Sequence, residues 1–298
     1  LIILNTIIGQ EIIGDGLYDA ELISFLRENY KTSETLGYTN ARDTLYYNID
    51  KLDGQVKGVY TNFTVDLPSG VDPSTYLYEN GINCEHVWPQ SLYEEGEPAK
   101  SDMHALRPCK DNVNSARSNK PFNEVIDSQT ITWYWQENQT SNIPSSNIDE
   151  YSENHGSYFE PREDRKGDIA RTIFYFYTMY SEISDENFFS IQKDILHSWH
   201  NEDPVNIEEY NRTLQIAQYQ QNKPNPFIID ETLIERAYFF EDFMQGDINE
   251  DGEVNILDIV TLVDILLSEE EFNPNEDLNA DGEINILDIV ILAGMILA

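Results

Sequence analysis

Apolar residues recur at helical spacing in several parts of the chain. Near the N-terminal end, Phe25 and Leu26 follow Leu22 by three and four residues, which predicts a buried helical face with Asp19 as the N-cap. In the middle of the chain, residues 173–177 are apolar on nearly all sides, which indicates a buried helix whose first half is polar and basic. The patterns predict helices over residues 17–30, 39–50, 165–180, 184–201 and 205–221.

Stretches that favour strands are shorter. Residues 56–67 alternate enough for a strand or a hairpin, with Gly58 and Asn62 as turn positions. Residues 131–135 are rich in aromatic and β-branched side chains and predict another strand. Residues 136–158 are polar and rich in Asn, Ser and Glu, which predicts a long surface loop.

A short apolar stretch that ends at a proline carries the most distinctive chemistry. Residues 82–87 favour a strand and Pro89 cannot continue a sheet ladder, so Glu85 and His86 are predicted near the end of a strand. Side chains alternate between faces along a strand, so these two neighbours point to different sides. One of them can then bind a metal cation while the other handles a proton.

A second strand and a helix complete this unit. Residues 102–108 predict a short strand closed by Pro108, and the Asn- and Ser-rich stretch 111–119 predicts the start of a helix. Strand, loop, strand and helix form a ββα unit whose carboxylate and amide oxygens suit a hard divalent ion such as Mg²⁺. The polar side chains that it gathers are Glu85, His86, Asn114, Arg117 and Asn119.

The C-terminal part of the chain contains a repeat. Residues 247–260 return as residues 277–290, with 11 of 14 positions identical. Each copy has oxygen-bearing side chains at loop positions 1, 3, 5, 7, 9 and 12 and a Gly at position 6, which is the pattern of an EF-hand calcium loop with Asp in place of Glu at position 12. The candidate Ca²⁺ ligands are Asp247, Asn249, Asp251, Glu253 and Asp258 in the first loop, and Asp277, Asn279, Asp281, Glu283 and Asp288 in the second.

Length and composition set the domain plan. With 298 residues, of which 12% are aromatic, the chain can form one large and one small domain. No apolar run approaches the length of a membrane span. The apolar Leu1–Gln10 segment predicts the end of a secretory signal, with an ordinary N-terminal strand as the alternative. The expected parts are a signal remnant or linker at 1–16, a main domain at 17–240 and a calcium module at 246–298.

The charge balance conflicts with binding to a polyanion. The formal net charge is −37, which repels nucleic acid at long range. The distribution softens the conflict, because nine of the 18 Lys and Arg residues lie between Lys100 and Arg171. Residues 237–298 hold 16 acidic residues and no Lys or Arg, so part of the acidic load belongs to the C-terminal module.

The chain contains two cysteines, and both lie in or beside the ββα unit. An antiparallel pairing of the two predicted strands would bring Cys84 and Cys109 together. In an exported protein we expect them to form one disulfide. The alternative is two free buried thiols.

The ββα unit and the segments that follow it contain several short motifs in a fixed order. They are Glu-His-Val-Trp-Pro-Gln-Ser at 85–91, Asp-Met-His at 102–104, Val-Asn and Arg-Ser-Asn within 113–119, Phe-Glu-Pro-Arg at 159–162, Lys-Gly-Asp-Ile-Ala-Arg at 166–171 and Asn-Lys-Pro-Asn-Pro-Phe at 222–227. Over residues 17–235 the chain resembles the bacterial endonuclease I family, secreted or periplasmic nucleases with a ββα-metal finger. The resemblance implies that His86 is the general base, and that Glu85 and Asn114 hold a catalytic Mg²⁺.

The other polar residues of the finger have two interpretations each. Asp102 and His104 are expected to brace the finger, and the alternative for His104 is a second metal ligand. Asn119 is either a ligand or a hydrogen-bonding residue at the helix end. Arg117 either stabilises the transition-state phosphate or pairs with an acid. In the family the arginine with this role lies in the loop between the strands, and that loop contains no arginine here.

Basic residues beyond the helix are candidates for contact with substrate. They can track phosphates along a groove or form salt bridges with the many acids between them. The candidates are Arg107, Arg162, Arg165, Lys166 and Arg171.

The two calcium loops are each followed, but not clearly preceded, by a predicted apolar helix. This arrangement resembles the type I dockerin module, which docks onto cohesin domains of a scaffold. Dockerins often have small hydroxyl residues at loop positions 10 and 11, whereas this chain has Ile256-Leu257 and Ile286-Leu287. The departure concerns the partner and not the calcium sites.

Taken together, these features predict an α+β fold: a mixed helical domain with a ββα-metal finger, and a small all-α, EF-hand-like calcium module. The expected function is that of a secreted, monomeric, Mg²⁺-dependent endonuclease that cuts DNA, with RNA left open, at little sequence preference. Its calcium module would tether it to a cohesin-type scaffold. The alternatives are a non-catalytic scaffold subunit that retains a nuclease fold, and a phosphodiesterase for small substrates.

Overall fold

The computed structural model describes residues 12–94, 96–240, 245–249, 251–268, 276–279 and 281–297. The expected signal segment at Leu1–Gln10 lies outside the described residues. The chain divides into two compact units, Leu1–Phe239 and Phe240–Ala298. Among the described helices, none is both long enough and apolar enough to cross a membrane.

Helices dominate the N-terminal unit, and several begin at a capping side chain. The Asp72 carboxylate accepts from the backbone N–H of Thr75 at 2.8 Å, and Asn206 caps a later helix in the same way. Asp19 was predicted to be the N-cap of the first helix, but it is the first residue of that helix and Tyr18 is the N-cap. The helices are α1 (Asp19–Tyr30), α2 (Tyr38–Thr44, continued by a π-helical turn at Leu45–Ile49), α3 (Pro73–Glu79), α4 (Asp111–Arg117), α5 (Lys166–Tyr180), α6 (Glu186–Ser190), α7 (Lys193–Glu202), α8 (Ile207–Ala217), α9 (Pro226–Ile229) and α10 (Leu233–Tyr238).

The strands form three small antiparallel sheets. The first has the order β1-β2-β3, the second pairs β4 with β5, and the third has the order β7-β6-β8-β9. The mixture of helices with these separate antiparallel sheets confirms the predicted α+β class. The strands are β1 (Lys51–Leu52), β2 (Gln55–Lys57), β3 (Thr64–Asp66), β4 (Ile82–His86), β5 (Leu106–Lys110), β6 (Thr132–Trp135), β7 (Asn138–Thr140), β8 (Ser152–Asn154) and β9 (Phe159–Glu160).

Helix α5 lies at the centre of the N-terminal unit. All of its residues except Tyr177 are buried, and it packs against α1, α7 and α9. Even its polar first half is covered, including Lys166 and Arg171. Buried charges need partners, so this helix must be surrounded by carboxylates.

The third sheet corrects the prediction of a long loop over residues 136–158. Strands β7 and β8 lie inside that stretch and pair on either side of β6. Their sequences, Asn-Gln-Thr and Ser-Glu-Asn, have no apolar alternation, so no pattern in the chain indicates a strand. Pairing with the aromatic β6 supplies the order that local propensity lacks.

The second sheet also differs from its prediction. Residues 103–105 form a 3₁₀ turn, and the strand begins at Leu106 and continues through Pro108. Proline is tolerated because β5 pairs with only one neighbour in this sheet. The Pro108 carbonyl accepts from the backbone N–H of Val59 at 2.9 Å, on the side away from β4.

The two cysteines are free thiols, which corrects the expected disulfide. In the β4–β5 register Cys84 lies opposite Pro108, and Cys109 lies opposite Asn83. The cysteines are therefore one position out of step, and their side chains point to opposite faces of the hairpin. Accordingly, Cys84 and Cys109 pack with different apolar clusters.

The C-terminal unit contains two helices, each preceded by one of the repeated loops. Helix α11 spans Ile256–Ser268 and helix α12 spans Ile286–Ile296. Their packing is centred on Leu262, Leu278 and Leu292. A helix after each loop was predicted, and the structure confirms both.

Candidate active site

The β4–β5 hairpin and helix α4 form one wall of a solvent-open cleft of about 440 Å³. Glu85 and His86 are the last residues of β4, and they pair with Arg107 and Leu106 of β5. Helix α4 begins directly after β5 and packs against both strands, which brings Asn114 to the same place. The residues that line the cleft are Tyr38, Cys84, Glu85, His86, Pro89, Gln90, Ser91, Asn114, Ser118 and Asn119.

The imidazole of His86 is held in a defined orientation. Its Nε2 lies 3.1 Å from the backbone carbonyl oxygen of Lys100, and the amide of Gln90 lies 2.9 Å from the same nitrogen. A carbonyl oxygen only accepts, so the Lys100 contact requires the hydrogen on Nε2 and leaves a lone pair on Nδ1. In this tautomer the Gln90 amide nitrogen, which is itself a donor, packs against Nε2 without a hydrogen bond. The ring also packs on Tyr38, with centroids 5.2 Å apart. Burial lowers the pKa of His86 to about 4, which keeps the imidazole neutral near pH 7.

The carboxylate of Glu85 is buried but keeps one oxygen available. Its Oε1 accepts from the Tyr60 hydroxyl at 2.7 Å and lies 3.2 Å from Nη1 of Arg117. Within the described part of the chain, no hydrogen bond uses Oε2, and Glu85 lines the cleft. Burial raises the pKa of Glu85, while Arg117 and the Tyr60 hydroxyl act to lower it.

Asn114 is oriented by hydrogen bonds from its amide nitrogen. Nδ2 donates to Oδ1 of Asn83 at 2.7 Å and to the carbonyl of Cys84 at 3.1 Å. Its Oδ1 is therefore left for another partner, in the cleft that Glu85 also lines. An unused carboxylate oxygen and an unused amide oxygen are the donor types that Mg²⁺ prefers. The side chains present fit the predicted metal.

Arg117 supports the site from behind. The residue is completely buried, and its guanidinium donates to the carbonyls of His86 at 3.2 Å and Val87 at 2.6 Å. The guanidinium also lies over the ring of Phe122, 4.6 Å from its centroid. These contacts favour the interpretation in which Arg117 pairs with an acid, and they place its guanidinium behind Glu85 and the end of β4.

Asp102 and His104 lie in the interior rather than in the cleft. The Asp102 carboxylate accepts from the hydroxyls of Tyr175 at 2.7 Å and Tyr180 at 2.8 Å, and from the side-chain amide of Gln220 at 2.9 Å. His104 is 3% exposed, and its Nε2 lies 3.0 Å from the carbonyl oxygen of Lys223. This placement favours the bracing interpretation for both residues.

The predicted phosphate-tracking residues around α5 are engaged with carboxylates. Arg162 contacts Glu150 and Asp164, Arg165 contacts Asp168, and Arg171 contacts Glu209, at distances between 2.5 and 2.9 Å. Lys166 lies within 2.8 Å of Glu124, Glu160 and Glu163. These ion pairs favour the salt-bridge interpretation for the four residues. The fifth member of the basic group, Arg107, lies within β5.

The two repeated loops of the C-terminal unit have matching internal geometry. In the first loop, the Asp247 carboxylate accepts from the backbone N–H groups of Asp251 and Gly252, and the second loop repeats this at Asp277. Gly252 and Gly282 have φ values of +84° and +88°, which allow the sharp turn at position 6. Within the described residues, no three acidic, His or Cys side chains already converge on one point. The oxygen-rich donor set and the turn nevertheless fit Ca²⁺.

Comparison with known families accounts for both units. The family model described as Endonuclease I matches residues 19–232. The chain belongs to the endonuclease I family. The model of the dockerin type I domain matches residues 245–297, within the C-terminal unit of this endonuclease I chain. Both resemblances expected from the motifs are confirmed.

Two curated relatives of this endonuclease I chain are extracellular ribonucleases. Over 161 residues it is 32% identical to the one of Bacillus amyloliquefaciens and 30% identical to the one of Bacillus subtilis (strain 168). The aligned part is 49% of this chain and 50% of each relative. The chain therefore spans about half the length of the curated relatives it matches.

Several cleft residues of this endonuclease I chain were not predicted from the sequence. Tyr38 lines the cleft and packs against His86. Tyr60, Gln90 and the backbone of Lys100 hold Glu85 and His86 in place. Of these residues, only Gln90 could have been placed near His86 from the sequence, because it stands four residues after it.

Proposed function

We propose that this chain is a divalent-metal-dependent endonuclease that hydrolyses phosphodiester bonds of nucleic acid in the β4–β5–α4 cleft. The observation that carries the proposal is the set of three unused acceptor atoms at one cleft. They are Nδ1 of His86, Oε2 of Glu85 and Oδ1 of Asn114. Because the imidazole is neutral and the oxygens suit a hard cation, one cleft holds both a base and a metal-binding pair.

In the proposed reaction, Nδ1 of His86 takes a proton from the attacking water. The carbonyl of Lys100, which accepts from Nε2–H, stabilises the imidazolium that forms. When bound by Glu85 and Asn114, Mg²⁺ would supply charge stabilisation at the scissile phosphate and the leaving oxygen. Tyr60 and Arg117 keep Glu85 oriented throughout.

The substrate class and location follow from the relatives and remain part of the proposal. The Bacillus relatives are named extracellular ribonucleases, which favours RNA as a substrate beside the DNA expected from the sequence. The same names and the dockerin match support an extracellular enzyme. The chain is proposed to act on both nucleic acids with little sequence preference.

The C-terminal unit is proposed to hold two Ca²⁺ ions and to dock onto a cohesin-type scaffold. Support comes from the apolar side chains at loop positions 10 and 11, which are exposed rather than buried. Ile256 and Leu257 are 62% and 54% exposed, and Ile286 and Leu287 are 65% and 54% exposed. Four such side chains on a small unit suit an apolar partner surface.

The test is cleavage of plasmid DNA and single-stranded RNA with Mg²⁺ or with EDTA, alongside a small phosphodiester. We expect Mg²⁺-dependent cleavage of polymeric substrate, and a fall of about 10²–10⁴-fold in turnover for His86→Ala, because a general base contributes that much. His155→Ala, a histidine outside the cleft, is the control and should behave as wild type. Near-normal nicking by His86→Ala, or hydrolysis of the small phosphodiester alone, contradicts the proposal.

A further inference from the structure

A second cavity, of about 300 Å³, lies beside β5 and outside the cleft. Its walls come from the π-helical turn after α2, from β2 and the loop that follows it, from β5, from the N-terminal end of α5 and from α8. Four cations line it: Lys57, Arg107, Arg165 and Arg212. This cavity has no part in the proposed chemistry. One of its four cations, Arg107, differs from the others in its partners.

Arg107 is a buried cation with no described carboxylate at ion-pair distance. It is 7% exposed, yet no carboxylate of the described residues lies within 4.0 Å of its guanidinium. Its Nε has no hydrogen-bond partner within the same set of residues. The other buried cations of the described chain, Arg117, Arg162, Lys166 and Arg171, all have carboxylates at ion-pair distance. Burying a charge is costly, and Asp168, Asp50 and Glu209 compensate Arg107 only through attraction beyond ion-pair distance, so an anion in the cavity would add a direct partner.

Three of the four acids that line the cavity form ion pairs with other cations, although Oδ1 of Asp168 has no hydrogen-bond partner among the described residues. Asp50 accepts from Arg212 at 2.6 and 3.1 Å, and Asp168 accepts from Arg165 at 2.9 Å. A third lining acid, Glu208, is exposed, as are the lining residues Asn211 and Gln215.

Glu209, the remaining acid of the cavity, is held by Arg171 at 2.8 and 2.6 Å. Arg107 is thus left with unused donors. Burial and the nearby charge of Arg212 lower the pKa of Arg107 to about 10, so it stays charged at neutral pH.

We propose that the Arg107 cavity binds a phosphate oxyanion, as a subsite for a backbone phosphate of the nucleic-acid strand whose scissile phosphate lies in the cleft. A guanidinium presents two parallel N–H donors that match two phosphate oxygens, and Arg107 has no described carboxylate at ion-pair distance to compete for them. The exposed Lys57 at the rim adds a second positive charge. The assignment of the cavity as a subsite for the substrate strand rests on the proposed nuclease function. The proposal that the cavity binds a phosphate oxyanion does not depend on that function.

The register of the hairpin relates the cavity to the cleft. Arg107 lies directly opposite Glu85 in the β4–β5 register. Neighbouring strands are about 4.8 Å apart, so the two backbone positions are close and share one rigid frame. In the proposed arrangement, a strand with one phosphate at Glu85 would place a neighbouring phosphate at Arg107.

The test compares Arg107→Gln, Arg107→Lys and the wild type, with Lys193→Gln as a variant that loses one positive charge outside the cavity. Binding of a labelled single-stranded oligonucleotide is measured in EDTA over a range of salt concentrations, so no cleavage is needed. For Arg107→Gln we expect weaker binding by about tenfold and a salt slope reduced by about 0.7, because the protein then neutralises one phosphate fewer on a single strand. In cleavage assays KM should rise with kcat unchanged. Lys193→Gln should leave the slope and KM as they are.

Inorganic phosphate distinguishes the two sources of the oxyanion. Phosphate should raise the melting temperature of the wild type above that in chloride at equal ionic strength, and should not do so for Arg107→Gln. A phosphate effect with unchanged KM and slope supports a site for free phosphate. Unchanged oligonucleotide binding and no phosphate effect overturn the site.

Should Arg107→Gln fail to fold, two other measurements decide in its place: the melting-temperature shift of the wild type with phosphate, and the salt slope of oligonucleotide binding by Lys57→Gln. A wild type that binds but never cleaves refutes the nuclease proposal and leaves the binding result standing.

Discussion

His104 shows how strongly burial decides the chemistry of a single residue in this protein. Its ring lies against Tyr175, with centroids 5.1 Å apart, and its Nε2 contacts the carbonyl of Lys223. Burial lowers the pKa of His104 from 6.5 to about 4. Between these values an unfolded chain binds a proton that the folded chain cannot, so this histidine makes the protein less stable as the pH falls from 6.5 to 4.

A substitution at this position isolates that effect. Gln can still donate to the Lys223 carbonyl but does not titrate, so His104→Gln should lack the acid-sensitive contribution. The stability advantage of the wild type over the variant should shrink by up to about 3 kcal/mol between pH 7 and pH 4. Urea unfolding at several pH values measures it. A difference that stays constant with pH would show that His104 titrates normally.

The sequence predicted which residues lie together at the candidate site better than it predicted the contacts that orient them. Glu85, His86 and Asn114 could be grouped because strand, strand and helix are close in the chain. The direction of the Arg117 side chain could not be predicted, since it depends on carbonyls at the end of β4. The prediction of a disulfide between Cys84 and Cys109 was wrong for a similar reason, because a shift of one position in strand register moves a side chain to the opposite face.

At the scale of elements, each calcium loop is tied to the helix that follows it. The Asp258 carboxylate, in the first turn of α11, accepts from the backbone N–H groups of Ile248, Asn249 and Asn255. Asp288 makes equivalent contacts with Asn279 and Asn285 in the second copy. A cation bound by the loop would therefore organise the start of the helix as well.

Calcium titration tests this element directly. We expect the full chain to bind two Ca²⁺ ions, and Asp258→Ala to bind one, because that variant lacks the last carboxylate of its loop. Asp264→Ala, on α11 but outside the loop, should still bind two. Isothermal titration calorimetry gives the stoichiometry, and two ions in Asp258→Ala would contradict the assignment of this ligand.

Elements with a repeat or an apolar face were predictable, and elements that depend on a partner strand were not. Helices α5, α11 and α12 follow from periodic apolar positions. Strands β7 and β8 carry polar sequences and exist through their pairing with β6. The local sequence holds no information about such pairing.

At the scale of the whole molecule, charge sets the conditions for activity. The chain carries −37, and the cations around α5 are engaged with carboxylates. Few phosphate contacts release few counterions, so the dependence of binding on salt should be shallow. Salt also screens the long-range repulsion, with a Debye length that falls from about 10 Å at 0.1 M to about 3 Å at 1 M.

Initial rates against NaCl at fixed Mg²⁺ test the balance of these effects. Activity should hold or rise between low salt and roughly seawater ionic strength, where a strongly cationic nuclease loses most of its affinity. A steep, monotonic fall would show that local cations dominate over the net charge.

The central claim is that one cleft divides two tasks, with Glu85 and Asn114 holding the metal and His86 moving the proton. Initial cleavage rate against Mg²⁺ concentration separates these tasks in wild type, Asn114→Ala and His86→Ala. Asn114→Ala should need a higher Mg²⁺ concentration for half-maximal rate, because it lacks one ligand oxygen. His86→Ala should keep the wild-type half-saturation and lose about 10²–10⁴-fold of its maximal rate. If His86→Ala instead recovers full activity at high Mg²⁺, or Asn114→Ala leaves the Mg²⁺ dependence unchanged, the proposed division of roles is contradicted.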